Sequence, residues 1–144
     1  MFQKLLVANR GEIAIRAFRA ANELGIRTVA VCSDADRDAP FLGHCDQVVC
    51  IGGERPADSY LRSDTLLQAA QSSGAQAVPP GYGFLSENAA FAQAVIDAGL
   101  VWVGPPPEAI AAMGDKASAR RRMHAAGVPV LPGTQGASED LAAL

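Results

Sequence analysis

The sequence predicts an α/β fold, a parallel sheet covered by helices on both faces, and three observations carry that expectation. Residues 4–8, 27–33, 47–51, 75–78 and 100–103 are short apolar runs, continuous rather than alternating, as in strands buried on both sides. Between most of them lie stretches with apolar residues three and four apart, the stripe of a helix packed on a core. Strand and helix signals take turns along the chain, so parallel pairing through right-handed crossovers follows. With 144 residues, 49% of them apolar, the chain has enough material for one such core.

The elements justify themselves in order. Residues 4–8 form the first strand and run into Asn9-Arg10-Gly11-Glu12. The next segment places Ile13, Ala17, Ala20, Ala21 and Leu24 on one helical face and ends at Gly25. Residues 27–33 are the second strand, followed by the charged turn Asp34-Ala35-Asp36-Arg37-Asp38. A poorly patterned piece around Phe41-Leu42 precedes the third strand, 47–51, which Gly52-Gly53 stops. A loop to Tyr60 leads to a helix over Ser63–Ser73, with Ser63 as its cap and Gly74 as its terminator.

Residues 75–78 are the fourth strand. Pro79 and Pro80 end it, and Gly81 and Gly83 free the backbone at its carboxyl end. Phe91, Ala94, Val95 and Ala98 then mark a helix that Ser86 or Asn88 caps, with Glu87 in its positive first turn. After the fifth strand, Gly104-Pro105-Pro106-Pro107 is a stiff connector, and Pro107 suits the start of a helix. Two short helices are expected over 108–113 and 116–126, closed by Gly127 and Pro129, and a weak helix start at Ser138-Glu139-Asp140. The expected organisation is a sheet domain over 1–103 and a linker with an incomplete further region over 104–144.

Composition removes several classes. A net charge of -3 gives no reason to expect nucleic-acid binding. No apolar run has the length of a membrane span, and Met1-Phe2-Gln3-Lys4 leads directly into a strand without a signal-peptide core. Cys32, Cys45 and Cys50 are odd in number and lack CxxC spacing, so reduced, mostly buried thiols of a cytoplasmic protein are expected. His44 and His124 stand far from any paired cysteines, which argues against zinc.

Four motifs remain. A strand, a glycine loop and a helix start meet in Pro80-Gly81-Tyr82-Gly83-Phe84-Leu85-Ser86-Glu87-Asn88, an arrangement that holds ligands in α/β sheets. The same residues also suit a plain tight connection with Tyr82 as a half-buried filler. The first turn is not G-x-G-x-x-G, which disfavours a dinucleotide oxidoreductase and leaves either an anion site or a capped helix with a solvated Arg10. Arg16, Arg19 and Glu23 line one face of the first helix, either a solvated stripe or a protein interface. In Gly114-Asp115-Lys116, Asp115 is a cap, and Lys116 at a helix start is misplaced unless an anion such as phosphate lies nearby. Arg120-Arg121-Arg122 adds positive charge of the kind usual on a solvated face.

Together the segments Ala8-Asn9-Arg10-Gly11-Glu12-Ile13-Ala14, Ser33-Asp34-Ala35-Asp36-Arg37-Asp38, the glycine loop and Met113-Gly114-Asp115-Lys116 resemble the N-terminal end of biotin carboxylase. That family includes parts of the acyl-coenzyme A and pyruvate carboxylases, and the resemblance runs from Lys4 to about Gly133. It implies a Rossmann-like domain that precedes an ATP-grasp region. In the family, ATP and bicarbonate give a carboxyphosphate, whose carboxyl group passes to a ureido nitrogen of biotin on a carrier domain, with magnesium on the phosphates. The resemblance implies that Tyr82, Gly83 and Glu87 wall the biotin and carboxyphosphate site. It further implies that Lys116 meets ATP phosphate and that Arg16, Arg19 and Glu23 belong to a homodimer surface.

The chain departs from the family in two places. Pro79 stands where the family commonly has histidine, and Pro40 and Gly43 weaken a helix expected over 40–45. The family's phosphate lid, metal-binding glutamates and bicarbonate- and biotin-binding arginines have no counterpart up to Leu144. Little catalysis is therefore expected from these 144 residues by themselves. The expected partners are an ATP-grasp remainder, a biotin carrier domain and a second copy, with a stand-alone nucleotide- or subunit-binding module as the alternative.

Overall fold

Five parallel strands in the order β3-β2-β1-β4-β5 form the sheet. The structure is a computed structural model and describes residues 1–131; Pro132-Gly133 and the helix start expected at Ser138 lie outside the described residues. In chain order the elements are β1 (Lys4–Val7), α1 (Gly11–Glu23), β2 (Arg27–Cys32), β3 (Gln47–Cys50) and α2 (Ser63–Ser73). Then follow β4 (Ala77–Val78), α3 (Ala89–Asp97), β5 (Val101–Trp102), α4 (Pro107–Gly114) and α5 (Lys116–Ala125).

Two apolar layers hold the sheet. On one face Leu6, Val29, Val31 and Val78 pack against Leu66 and Ala70 of α2 and Phe91 and Val95 of α3. On the other, Leu5, Val7, Ala30 and Ala77 pack against Ala14, Phe18 and Ala21 of α1 and against Phe41. Alternate residues of each central strand feed alternate layers, as the period of two requires. Full burial of each large side chain stabilises the fold by about 1.5–3 kcal/mol before conformational entropy is subtracted. The runs 4–8, 27–33 and 75–78 contain β1, β2 and β4, the three central strands of the sheet.

Several local expectations change. The buried stripe of α1 is Ala14, Phe18 and Ala21, one position round from the expected face, and Leu24 is 75% exposed. Phe18 sets that rotation, because it is the largest apolar side chain on the helix and fills the layer above Val7 and Ala30. Ser63 is the first residue of α2 and not its cap; Arg62 holds that place without a side-chain capping bond. The Arg62 guanidinium instead binds Asp64 at 2.6 Å and, with the Thr65 amide, pulls that carboxyl down to about 2.

β4 is shorter than expected, although the Gln76 amide still donates to the Lys4 carbonyl. The edge strands depart from the continuous apolar pattern. β3 alternates because Val49 packs against the α2 layer while the opposite face, with Val48 and Cys50, is exposed. Residues 40–44 form a 3-10 turn in place of a longer helix, as Pro40 and Gly43 dictate. Gly74 caps α2, Asn88 caps α3 by accepting from the Phe91 amide at 3.0 Å, and Pro107 opens α4.

Candidate functional site

The strand order reverses at β1, whose neighbours are β2 on one side and β4 on the other. Open α/β sheets bind ligands in the crevice beyond the strand ends at such a point. Here the crevice is occupied by the β1–α1 turn, Asn9-Arg10, and the glycine loop that follows β4.

The loop is held at both ends and open in the middle. Leu85 is buried in the α2/α3 layer, the Ser86 amide donates to the Gly83 carbonyl at 2.9 Å, and the Asn88 amide donates to the Leu85 carbonyl at 3.0 Å. Gly81 and Gly83 both have φ in the left-handed region, +62° and +69°. They differ in their surroundings: a Cβ on Gly83 would meet nothing, whereas one on Gly81 would overlap the Asn9 amide oxygen. Tyr82 between them is 78% exposed, so it is not the half-buried filler. Glu87 is also exposed and precedes the Asn88 cap, so it lies outside the first turn of α3 where it was expected.

A second grip comes from a cluster that motif reading missed. Phe84 has φ +45°, a conformation costing about 1–3 kcal/mol for a residue with a side chain. Its ring stacks on Tyr60 with centroids 4.9 Å apart and planes 6° from parallel. The Arg10 guanidinium lies 5.6 Å from the Tyr60 centroid and 5.7 Å from that of Phe84. Asp36 Oδ2 accepts from the Tyr60 hydroxyl at 2.7 Å, from Ser33 Oγ at 2.9 Å and from Arg10 at 3.2 Å. Burial pushes the Asp36 carboxyl up, but those three donors together outweigh it and hold it below its ordinary value. Burial and the Asp36 bond push the Tyr60 hydroxyl far up. Arg10 therefore braces Tyr60, Phe84 and Asp36 while its side chain remains 45% exposed.

Downstream, Gly104 packs against Pro80 and Trp102, and Trp102 Nε1 donates to the Pro105 carbonyl at 2.9 Å. This brings α4 beside the loop and leaves a cleft of about 250 Å³. Ser86 and Glu87 line one side of it and Ile110, Met113 and Gly114 the other. Lys116, two residues past that wall, is exposed on the first turn of α5. Asp115 caps α5, its Oδ1 accepting from Ala117 at 2.7 Å and Ser118 at 2.9 Å, and those amides hold the carboxyl below its ordinary value. Of the expected site residues only Glu87 lines this cleft; Tyr82, Gly83 and Lys116 are exposed outside its lining. Arg16, Arg19 and Glu23 lie apart from the cleft, exposed on α1 with no ion pair joining them among the described residues.

No group of three or more histidines, cysteines or carboxylates converges as a metal site among the described residues. No helix among them is long and apolar enough to cross a membrane. The three cysteines are unpaired: Cys32 is buried, Cys45 partly so, and Cys50 exposed, one more open than expected.

The model of the biotin carboxylase N-terminal domain matches residues 1–110. The chain belongs to that family. It is 51% identical over 140 residues to the biotin carboxylase of Halalkalibacterium halodurans, covering 97% of this chain and 31% of that protein. It is 53% identical over 139 residues to the alpha subunit of the mitochondrial methylcrotonoyl-CoA carboxylase of Arabidopsis thaliana, covering 96% of this chain and 19% of that one. Among solved structures, the dimeric biotin carboxylase domain of the Hydrogenobacter thermophilus 2-oxoglutarate carboxylase, in complex with MgADP, ADP and bicarbonate, superposes with a TM-score of 0.90. That pair shares 43% identity over 99% of this chain and 31% of the other. The chain spans less than a third of these relatives and corresponds to their N-terminal part.

Proposed function

We propose that this chain supplies one wall of a biotin carboxylase active site, in which ATP and bicarbonate give a carboxyphosphate that carboxylates biotin. The exposed, doubly gripped loop 82–87 at the switch point is the observation that carries the reading. Tyr82 offers a ring, Gly83 an unobstructed backbone and Glu87 a carboxylate, all facing outward. Together they border the biotin and carboxyphosphate side. Lys116, exposed at a helix start beside the cleft, meets ATP phosphate as a point charge.

Biotin reaches the site on a carrier domain, and ATP is held largely by an ATP-grasp remainder. Magnesium would neutralise the phosphates, on carboxylates outside these residues. The reaction class is carbon–nitrogen ligation at the expense of ATP. Arg16, Arg19 and Glu23 form a self-association surface in the complete enzyme, and the unpaired thiols fit the reducing cytoplasm.

Phosphoryl transfer needs a metal and several preorganised donors around the γ-phosphate. One lysine on α5, a helix with no buried residue, does not provide that geometry. The 144-residue chain alone should therefore show no bicarbonate-dependent ATP cleavage above a buffer control. The test is a chimera in which this chain replaces the matching segment of the Halalkalibacterium biotin carboxylase. It should carboxylate free biotin, and Lys116→Gln in it should raise KM for ATP about tenfold with the fold intact. A folded but inert chimera, or unchanged ATP kinetics, would count against the reading.

A further inference from the structure

We infer that Asn9 is a positioning residue for the glycine loop, a role that rests on the loop's proposed place in the biotin site. Asn9 stands two residues past the end of β1 and is 2% exposed, one of few polar side chains in the core among the described residues. Its Nδ2 donates to the backbone carbonyl of Tyr82 at 2.8 Å, across 73 residues of sequence. Its Oδ1 is buried with no hydrogen-bond partner and lies against Gly81, where any Cβ would overlap it.

A buried carbonyl without a donor is a cost that protein interiors usually avoid. An alanine or serine here would leave no such oxygen, so the amide is retained for its other half, the donor to Tyr82. The reverse orientation of the amide would set two carbonyl oxygens against each other, so the Tyr82 carbonyl itself fixes the orientation. Gly81 fits for the same reason: it lets the loop approach closely enough for the bond to form. With the Tyr82 carbonyl tied inward, its ring projects outward, and the Gly83 backbone stays uncovered. Arg10, the next residue, steadies Phe84 from the other side. Asn9 and Arg10, neighbours in the turn between β1 and α1, therefore fix both flanks of the segment that presents Tyr82 and Gly83.

The decisive variant is Asn9→Asp, which keeps nearly the same shape but puts an oxygen, charged when ionised, where the donor was. Asn9→Ala, which removes the donor without adding charge, serves as the comparison. In the 144-residue chain, exchange of the Ser86 and Asn88 amides, both bonded within the loop, should quicken about tenfold in both variants, while exchange in β1 and β2 stays slow. In the Halalkalibacterium chimera, Asn9→Asp should raise KM for free biotin about five- to tenfold and leave KM for ATP unchanged. A merely structural residue would instead lower kcat and the folded fraction without separating the two KM values. Tyr82→Ala in the same chimera distinguishes the two ideas. If it raises KM for biotin and Asn9→Asp does not, the positioning role falls and the site stands. If Tyr82→Ala also leaves biotin kinetics unchanged, the proposed site falls. Unaltered loop exchange in both Asn9 variants overturns the positioning role whatever the chimera does.

Discussion

Tyr60, Asp36 and Arg10 show how single side chains shape this site. Tyr60→Phe keeps the stack on Phe84 and deletes the donor to Asp36. It should cost about 1–3 kcal/mol in urea unfolding, because a partly buried carboxylate loses a donor and the Ser33 amide loses its acceptor. The folded-state value of Asp36 is lowered, so its contribution is complete above 3.8 and is lost as pH falls through the folded value. Asp36→Asn should therefore flatten the acid limb of the stability profile; an unchanged acid limb would exclude this carboxyl as its source. Cys32 has the opposite sign. Burial and the neighbouring Cys50 push its thiol up to about 11, so its contribution is complete below 9.0 and lost as pH rises through about 11. Iodoacetamide at neutral pH should label Cys50, which is exposed, and leave Cys32 untouched until the chain unfolds. None of these pairings was legible in the sequence. Asn9 and Tyr82, or Asp36 and Tyr60, are joined across loops, and spacing along a chain reports only neighbours on one element.

At the scale of elements the sequence was legible in kind and less so in detail. Continuous apolar runs revealed β1 and β2, and glycine and proline marked where helices end. The rotation of α1 was missed because alanines fill four of its seven apolar positions and alanine marks no face clearly. Phe18 decides it, so Phe18→Ala should cost about 3–5 kcal/mol, whereas Leu24→Ala should stay within about 0.5 kcal/mol. The expected placement of Glu87 failed by two residues because Ser86 and Asn88 both satisfy the cap pattern. Only Asn88 has its side chain bonded to a free amide. Asn88→Ala should cost about 1 kcal/mol, measured by thermal unfolding.

For the whole molecule, the fold class follows from alternating elements and right-handed crossovers, whereas the strand order is visible only in the structure. What the 144 residues contribute depends on how the loop faces the rest of a carboxylase. If Arg16, Arg19 and Glu23 form a self-association surface, Arg19→Glu in the chimera should shift its sedimentation toward monomer at low protein concentration. The most direct test of the site is Gly83→Val in the same chimera. Gly83 has open space where a Cβ would stand but a left-handed φ, so valine there disturbs the loop and little else. Carboxylation of free biotin should fall at least about tenfold while urea unfolding remains one cooperative transition. Normal biotin turnover in a folded Gly83→Val enzyme would contradict the account and remove this loop from the active site.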